Sequence, residues 1–510
     1  MIYPTNRPPQ LDPDSPVLQQ LRNLLQQSGY FNAGISPTLE NIFPAISPDI
    51  PSGSRLHTLL KLFYTQQPVA PDLLQDALRP LTLEQLLSTG FCGLEDNHVV
   101  SHVFLQPYAR LLFAIGQLTL PPRLENIVMQ ISDTSLELAH LMNPRRARKA
   151  LDLGTGCGFL AALLSPYADR VYAVDLNPSA VQFADFNARW NSLSNITCLQ
   201  GNLFEPVREL RFDLIVCNPP FLICPVPDSS VNQILFQHSG QQGDSFCIQI
   251  ARDASSFLEE DGFFHMMFSW IQTEGQDWHA RLATAFSGLG CDVWCLRTCE
   301  VPAEDYVSSW CASVPDVPNT DLDALHRRGL AYFQQHNIAS IGTGLLTLRR
   351  CTSRPNQLWF DDAPEDRSEP YGSSVAAIFD LRAKFDSAPD EYFLQQEFVA
   401  TPDIAVIQKS ARKGRRWEVI ASELCRDSGL KYTFSGLDPL LSEIVTSLDG
   451  RTSLHLILAH LSRERHIPIS RLMATYLPHL RALLRFGFIL PASPARSSSR
   501  PRHSSRPSSR

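Results

Sequence analysis

The stretch Leu151-Asp152-Leu153-Gly154-Thr155-Gly156-Cys157-Gly158 decides the fold. It follows a β-like run, residues 149–153, and leads into an apolar helical segment, residues 159–165. Glycines in that position let the backbone turn sharply and let a ligand approach the peptide groups closely. The next strand, residues 170–175, ends on Asp175, whose carboxylate can accept both hydrogen bonds of an adenosine ribose. Two ligand classes use such a turn. Dinucleotide sites space the glycines as G-x-G-x-x-G, the third freeing the helix start for a pyrophosphate. Here Gly154, Gly156 and Gly158 alternate, and Phe159 stands where that pattern wants glycine.

Outward from this turn, strand and helix patterns alternate. Strands are expected at 196–200, 212–217, 263–268, 291–296 and 343–348, in addition to the two above. Helices are expected at 178–190 with Asn177 as N-cap, at 245–258, at 278–286, and near 322–333 inside an insertion. This order predicts an α/β fold with a doubly wound, mostly parallel sheet of seven strands.

The chain has 510 residues, more than one core holds, so roughly two to four domains are expected. Residues 1–145 read as a mostly helical N-terminal domain, with helical spacing at 59–64, a short helix from Pro71 to Leu78 and a capping box at Thr82 and Gln85. A strand near 98–105 follows, so this part is read as winged-helix-like, and 123–145 as a connecting helix. Residues 146–351 are the sheet domain, and 352–398 a polar, Pro-rich linker and extension. Residues 399–490 form a second winged-helix-like domain, with helices at 437–448, 453–461 and 470–486 and a strand at 486–490. The Ser/Arg/Pro-rich tail 491–510 is expected to be disordered.

The net charge of −8 gives no global field toward nucleic acid, although a local basic surface is compatible with it. The opening MIYPTNRPPQ lacks the pattern of a secretory leader, and no apolar run is long enough to cross a membrane. Twelve cysteines scattered through apolar runs suit reduced thiols, so a cytoplasmic location is expected. Cys291, Cys295 and Cys299 step by four rather than pairing as C-x2-C, so no metal site is expected there.

The second motif closes the buried strand 212–217: Asn218-Pro219-Pro220-Phe221. In a doubly wound sheet the carboxyl ends of the strands face the ligand crevice. An amide or exocyclic amine nitrogen is a poor nucleophile because its lone pair is shared with a π system. The Asn218 side-chain oxygen and the Pro219 carbonyl can accept its N–H groups and localise that pair. Proline fixes where the carbonyl points, and Phe221 offers a flat face for stacking.

The D-x-G-x-G-x-G run with Asp175 resembles the class I methyltransferases, and the Asn-Pro-Pro-Phe signature resembles their amino-nitrogen branch. Gly201-Asn202-Leu203-Phe204-Glu205-Pro206 and the stretch 238–245 resemble release-factor glutamine methyltransferases, and the Asn-Pro-Pro-Phe form also occurs in small-domain ribosomal RNA guanine methyltransferases. The resemblance implies S-adenosylmethionine as cofactor. It would be held by Asp152, Gly154, Thr155, Gly156, Gly158, Asp175, Leu176, Asn202, Leu203 and Asn218, with Asn218, Pro219, Pro220 and Phe221 as the reacting site. Asn202 stands where the family usually has Asp. The implied acceptor is macromolecular: a protein glutamine, as in a translation factor, or an exocyclic amine of structured RNA, less often of DNA. A third reading is a protein that only binds the cofactor.

Overall fold

The last four side chains of the run Ala147–Leu153 are all buried, so both faces of this strand are covered and it lies at a sheet centre. We call it β1. The computed structural model describes residues 12–32, 46–116, 128–143, 145–223, 243–313 and 319–492. The chain divides into two units, Met1–Pro370 and Tyr371–Arg510.

In the first unit, helix α1 (Asp133–Leu141) precedes β1. Then follow α2 (Phe159–Leu164), β2 (Ala168–Asp175), α3 (Pro178–Trp190), β3 (Ile196–Gln200) and β4 (Phe212–Cys217). After these come α4 (Ser245–Phe257), β5 (Leu258–Thr273), α5 (Trp278–Phe286) and β6 (Cys291–Pro302). The unit continues with α6 (Ala303–Ser313), α7 (Asn319–Gln335), β7 (Ile338–Arg350) and β8 (Leu358–Asp362). The sheet order is β8-β6-β7-β5-β4-β1-β2-β3. Strands β3 through β5 are parallel along that order, while β7 runs antiparallel between β5 and β6. The order reverses between β1 and β4. Their carboxyl ends therefore open the crevice where an open α/β sheet binds ligands.

The sheet has eight strands rather than the expected seven. The added one, β8, lies in the segment that reads as a linker and pairs parallel with β6. Its five residues are too few to outweigh their polar, Pro-rich surroundings in a sequence window. Specific polar contacts hold it: Trp294 Nε1 donates to Asp361 at 2.9 Å, and Arg297 Nε to Asp362 at 2.7 Å. The buried Asp292 accepts from the Gln357 backbone N–H at 2.9 Å just before the strand.

The flank before α1 contains helices Pro16–Gln27, Arg55–Phe63, Pro71–Leu78 and Leu83–Ser88, the last with the Thr82/Gln85 capping box formed. Two antiparallel hairpins follow, Cys92–Glu95 with His98–Ser101 and Val103–Tyr108 with Leu111–Gly116. Helix α1 is shorter than the expected 123–145 segment, of which 123–127 and 144 lie outside the described residues.

The second unit has its own core around Phe398, Leu441, Leu458 and Leu480. Helices Pro439–Thr446, Leu454–Arg465 and Ile469–Arg485 surround a three-stranded sheet that includes Ile489–Pro491. A hairpin of Ile404–Lys413 and Arg416–Arg426 belongs to a separate small sheet. Residues 493–510 of the tail lie outside the described residues. No helix among the described residues is long and apolar enough to cross a membrane.

Candidate active site

The glycine turn leaves β1 with three left-handed residues in alternation: Gly154, Gly156 and Gly158 have φ of 76°, 54° and 83°. An L-residue pays for that conformation, which is why glycine is needed here. Each position has its own surroundings. A Cβ on Gly158 would lie 3.0 Å from the Ala184 Cα, so this glycine lets α3 pack against the turn. A Cβ on Gly156 would meet nothing within 4 Å, so that peptide faces open space. A Cβ on Gly154 would lie 3.9 Å from the Asn218 carbonyl oxygen. Because Leu153 pairs with Cys217, the glycine turn and Asn218 stand side by side at the crevice.

Asp152 is buried beneath the turn. Its Oδ2 accepts from the Thr155 hydroxyl at 2.7 Å and the Ala161 N–H at 2.9 Å, fastening the turn to the start of α2. Its Oδ1 is buried and has no partner among the described residues. Burial pushes the carboxyl pKa up to about 7. Thr155 is buried with its hydroxyl committed to Asp152, so its part in the site is to shape the turn.

Asp175 ends β2. One oxygen accepts from Gly156 N–H at 2.9 Å and the other from Asn177 N–H at 2.9 Å. Each carboxylate oxygen has a second lone-pair direction, enough for a ribose diol. Burial raises the Asp175 pKa as well. Leu176 beside it is 52 % exposed. Asn202 is exposed, and Leu203 is half-buried with φ of 49°. Gly201 N–H donates to the Asp175 carbonyl at 3.0 Å, which joins the two loop ends.

At the end of β4, Asn218 is half-buried, Pro219 buried, and Pro220 and Phe221 half-buried. Phe221 packs against the sheet core. The Asn218 amide is oriented by α1: Nδ2 donates to the Thr134 hydroxyl at 3.1 Å and the Ser135 hydroxyl at 3.2 Å. Those hydroxyls cluster with Ser132, the N-cap of α1. The Asn218 Oδ1 is buried and lacks a partner among the described residues. The amide thus spends its donors on the protein and keeps its acceptor for something else.

The flanking hairpin supports this arrangement. Gln106 holds both polar groups of Ile131, donating to its carbonyl at 3.2 Å and accepting its N–H at 3.0 Å. Asn187 on α3 donates to the Cys157 carbonyl at 2.8 Å and exchanges two bonds with Ala114. Tyr108 and Phe113 pack edge-on against Phe159 at 5.0 and 5.6 Å. Past Phe221, the Ile223 N–H donates to the Tyr306 hydroxyl of α6 at 2.9 Å.

None of Thr134, Ser135, Gln106, Asn187 or Tyr306 is identified by the sequence motifs. Thr134 and Ser135 lie more than eighty residues from Asn218, and a Ser-Asp-Thr-Ser run reads only as a helix cap. Of the stretch 238–245, residues 238–242 lie outside the described residues. Asp244 is buried and held by Arg281 through two bonds of 2.7 Å.

A sheet of this order, with a glycine turn closing β1, an acidic tip on β2 and Asn-Pro-Pro-Phe closing β4, defines the class I methyltransferases, whose methyl donor is S-adenosylmethionine. Residues 131–267 match the family model of the methyltransferase small domain. The release factor glutamine methyltransferase of Moorella thermoacetica is 35% identical over 141 residues, covering 27% of this chain and 47% of that protein. The release factor glutamine methyltransferase of Escherichia coli is 28% identical over 187 residues, covering 35% of this chain and 65% of that protein. The chain spans about half the length of the curated relatives it matches. Among solved structures, a methyltransferase from Pyrococcus furiosus aligns with a TM-score of 0.28 at 15% identity, covering 47% of this chain and 89% of that one.

The residues present fit the cofactor. The bare Oδ1 of Asp152 suits an ammonium group, the open face at Gly156 admits close approach of a ligand, and Asp175 with exposed Leu176 suits an adenosine. When bound, the cofactor supplies an electrophilic methyl group.

Proposed function

We propose that this chain is an S-adenosylmethionine-dependent N-methyltransferase whose acceptor is a planar amide nitrogen, the side chain of a glutamine in a protein. The observation that carries the reading is the Asn218 Oδ1, an acceptor without a partner among the described residues, beside the glycine turn. An amide N–H bonded to that oxygen has its lone pair drawn out of conjugation and aimed into the crevice. Thr134 and Ser135 keep the Asn218 amide from rotating, so the geometry is set before the acceptor arrives. Such preorganisation supplies part of the roughly 7–11 kcal/mol that orientation as a whole can contribute. Asn218 is not a base, and the proton leaves to solvent after transfer. The choice of glutamine is supported by the relatives, which are named for that substrate. A protein that only binds the cofactor has no use for a buried, oriented acceptor amide.

The test is incubation of the purified chain with methyl-labelled S-adenosylmethionine and an unmethylated cell lysate. Label is expected in protein, recovered as methylglutamine after proteolysis and mass spectrometry. Label in RNA would move the acceptor to an exocyclic base amine. Asn218→Ala is expected to keep cofactor affinity within about threefold and to lower turnover by roughly a hundredfold or more. Near-normal turnover in that variant would remove the acceptor role.

A further inference from the structure

The hairpin of Ile404–Lys413 and Arg416–Arg426 is exposed on both faces from Val406 to Lys413 and from Arg416 to Ala421, apart from Ala411. Five of the twelve large exposed apolar residues among those described lie on it: Val406, Ile407, Trp417, Val419 and Ile420. Trp417, at 73 % exposure, is the most exposed of the twelve. A two-stranded ribbon with an uncovered tryptophan is costly to keep unless a partner uses it.

Its charge indicates which partner. Residues 404–426 contain six cations and two carboxylates, a net of +4 inside a chain of net −8. Five of the cations crowd the tip: Lys409, Arg412, Lys413, Arg415 and Arg416. Lys413 pairs with Glu418 at 3.0 Å, and the other four have no carboxylate within 4 Å among the described residues. Gly414, with φ of 63°, takes the first place of the two-residue loop, the position a type II′ turn gives to glycine. The tip is thus a tight, defined structure.

The register distributes these groups. Arg412 pairs with Trp417 and Ser410 with Val419 on one face, while Lys413 pairs with Arg416 on the other. One face therefore offers an indole plane with an arginine beside it, and the other face offers further cations. A lipid surface would call for an apolar tip, whereas this tip is Lys-Gly-Arg-Arg. An acidic protein would not need the bare indole. Phosphates together with unstacked bases need both features: cations track the backbone and an aromatic face stacks a base. Unstacked bases are a property of the loops of folded RNA rather than of duplex DNA.

We propose that this ribbon is an RNA-binding arm that takes a single-stranded loop, with Arg412, Arg415 and Arg416 on phosphates and Trp417 stacked on a base. The proposal concerns where the chain docks and is independent of which nitrogen it methylates.

The full chain is titrated onto a fluorescein-labelled RNA stem–loop with a uridine-rich loop and read by anisotropy at several salt concentrations. Binding is expected to weaken with salt. Arg412→Glu, Arg415→Glu and Arg416→Glu together should weaken it at least about tenfold and flatten the log–log salt slope by about 2. The same three positions changed to Lys should keep most of the affinity and the slope. Trp417→Ala should weaken binding by roughly five- to a hundredfold without changing the slope. Circular dichroism and thermal melts that match the parent show that the variants fold. No binding of the stem–loop at low salt, parental affinity in the triple Glu variant, or tighter binding of a blunt DNA duplex would each overturn the proposal.

Discussion

Asp152 has one oxygen bound to the glycine turn and the other bare, and burial holds its folded-state pKa near 7, against an ordinary value of 3.8. The protonated form is favoured below that pH, so this group's contribution to stability is full below about pH 4 and is lost as the pH rises through about 7. A cation at Oδ1 draws the proton off. Cofactor affinity is therefore expected to rise between pH 5.5 and 7, by at most about tenfold per unit, with proton release on binding. Calorimetry in buffers of different ionisation enthalpy reads both, and Asp152→Asn should flatten the profile. Asp175 does a different job. Asp175→Ala removes the acceptor for two backbone N–H groups and for the ribose contact proposed for it, so cofactor affinity should fall roughly ten- to a hundredfold. Unchanged affinity would break the ribose assignment. The glycine turn and the strand ends that carry Asp175 and Asn218 are legible in the sequence because turn chemistry and strand ends are local properties. That the Thr155 hydroxyl points inward is not, since it depends on the buried carboxylate beneath it.

Helix α1 reads as a connector, yet its first turn is what aims the Asn218 amide. The chain entering it is in turn held by Gln106, on a hairpin strand twenty-five residues before its partner Ile131. Contacts over such separations leave no periodicity to read, which is why the flank reads as a separate domain with a connecting helix. Changing Thr134 and Ser135 together to Ala should lower kcat roughly ten- to a hundredfold while cofactor affinity stays near parental. A fall in cofactor affinity of the same size would mean that the hydroxyls support the crevice in general. Strand β8 escaped reading for the opposite reason: its apolar residues are local, but too few between prolines and aspartates. The 404–426 ribbon is a different case: β-branched residues stand on both sides of Lys-Gly-Arg-Arg, but without the strict alternation that marks a half-buried strand.

At the scale of the whole chain, the residues assigned to the cofactor all precede Pro370, and each unit has a core of its own. A chain ending at Pro370 is expected to bind S-adenosylmethionine within about twofold of the full chain by calorimetry. A large loss would show that the second unit completes the crevice. The sheet's alternation of strand and helix made the fold class legible from one glycine turn outward; the sheet's outer rim was not. Strand β6 spans twelve residues and would be that rim if β8 were missing. A strand of that length, with unpaired N–H and C=O groups along one side, is a template for another copy to zip onto. β8 occupies Val293 through Arg297 of that rim and ends in two aspartates. Five residues of apparent spacer thus cover part of that rim and place two aspartates on the edge that remains.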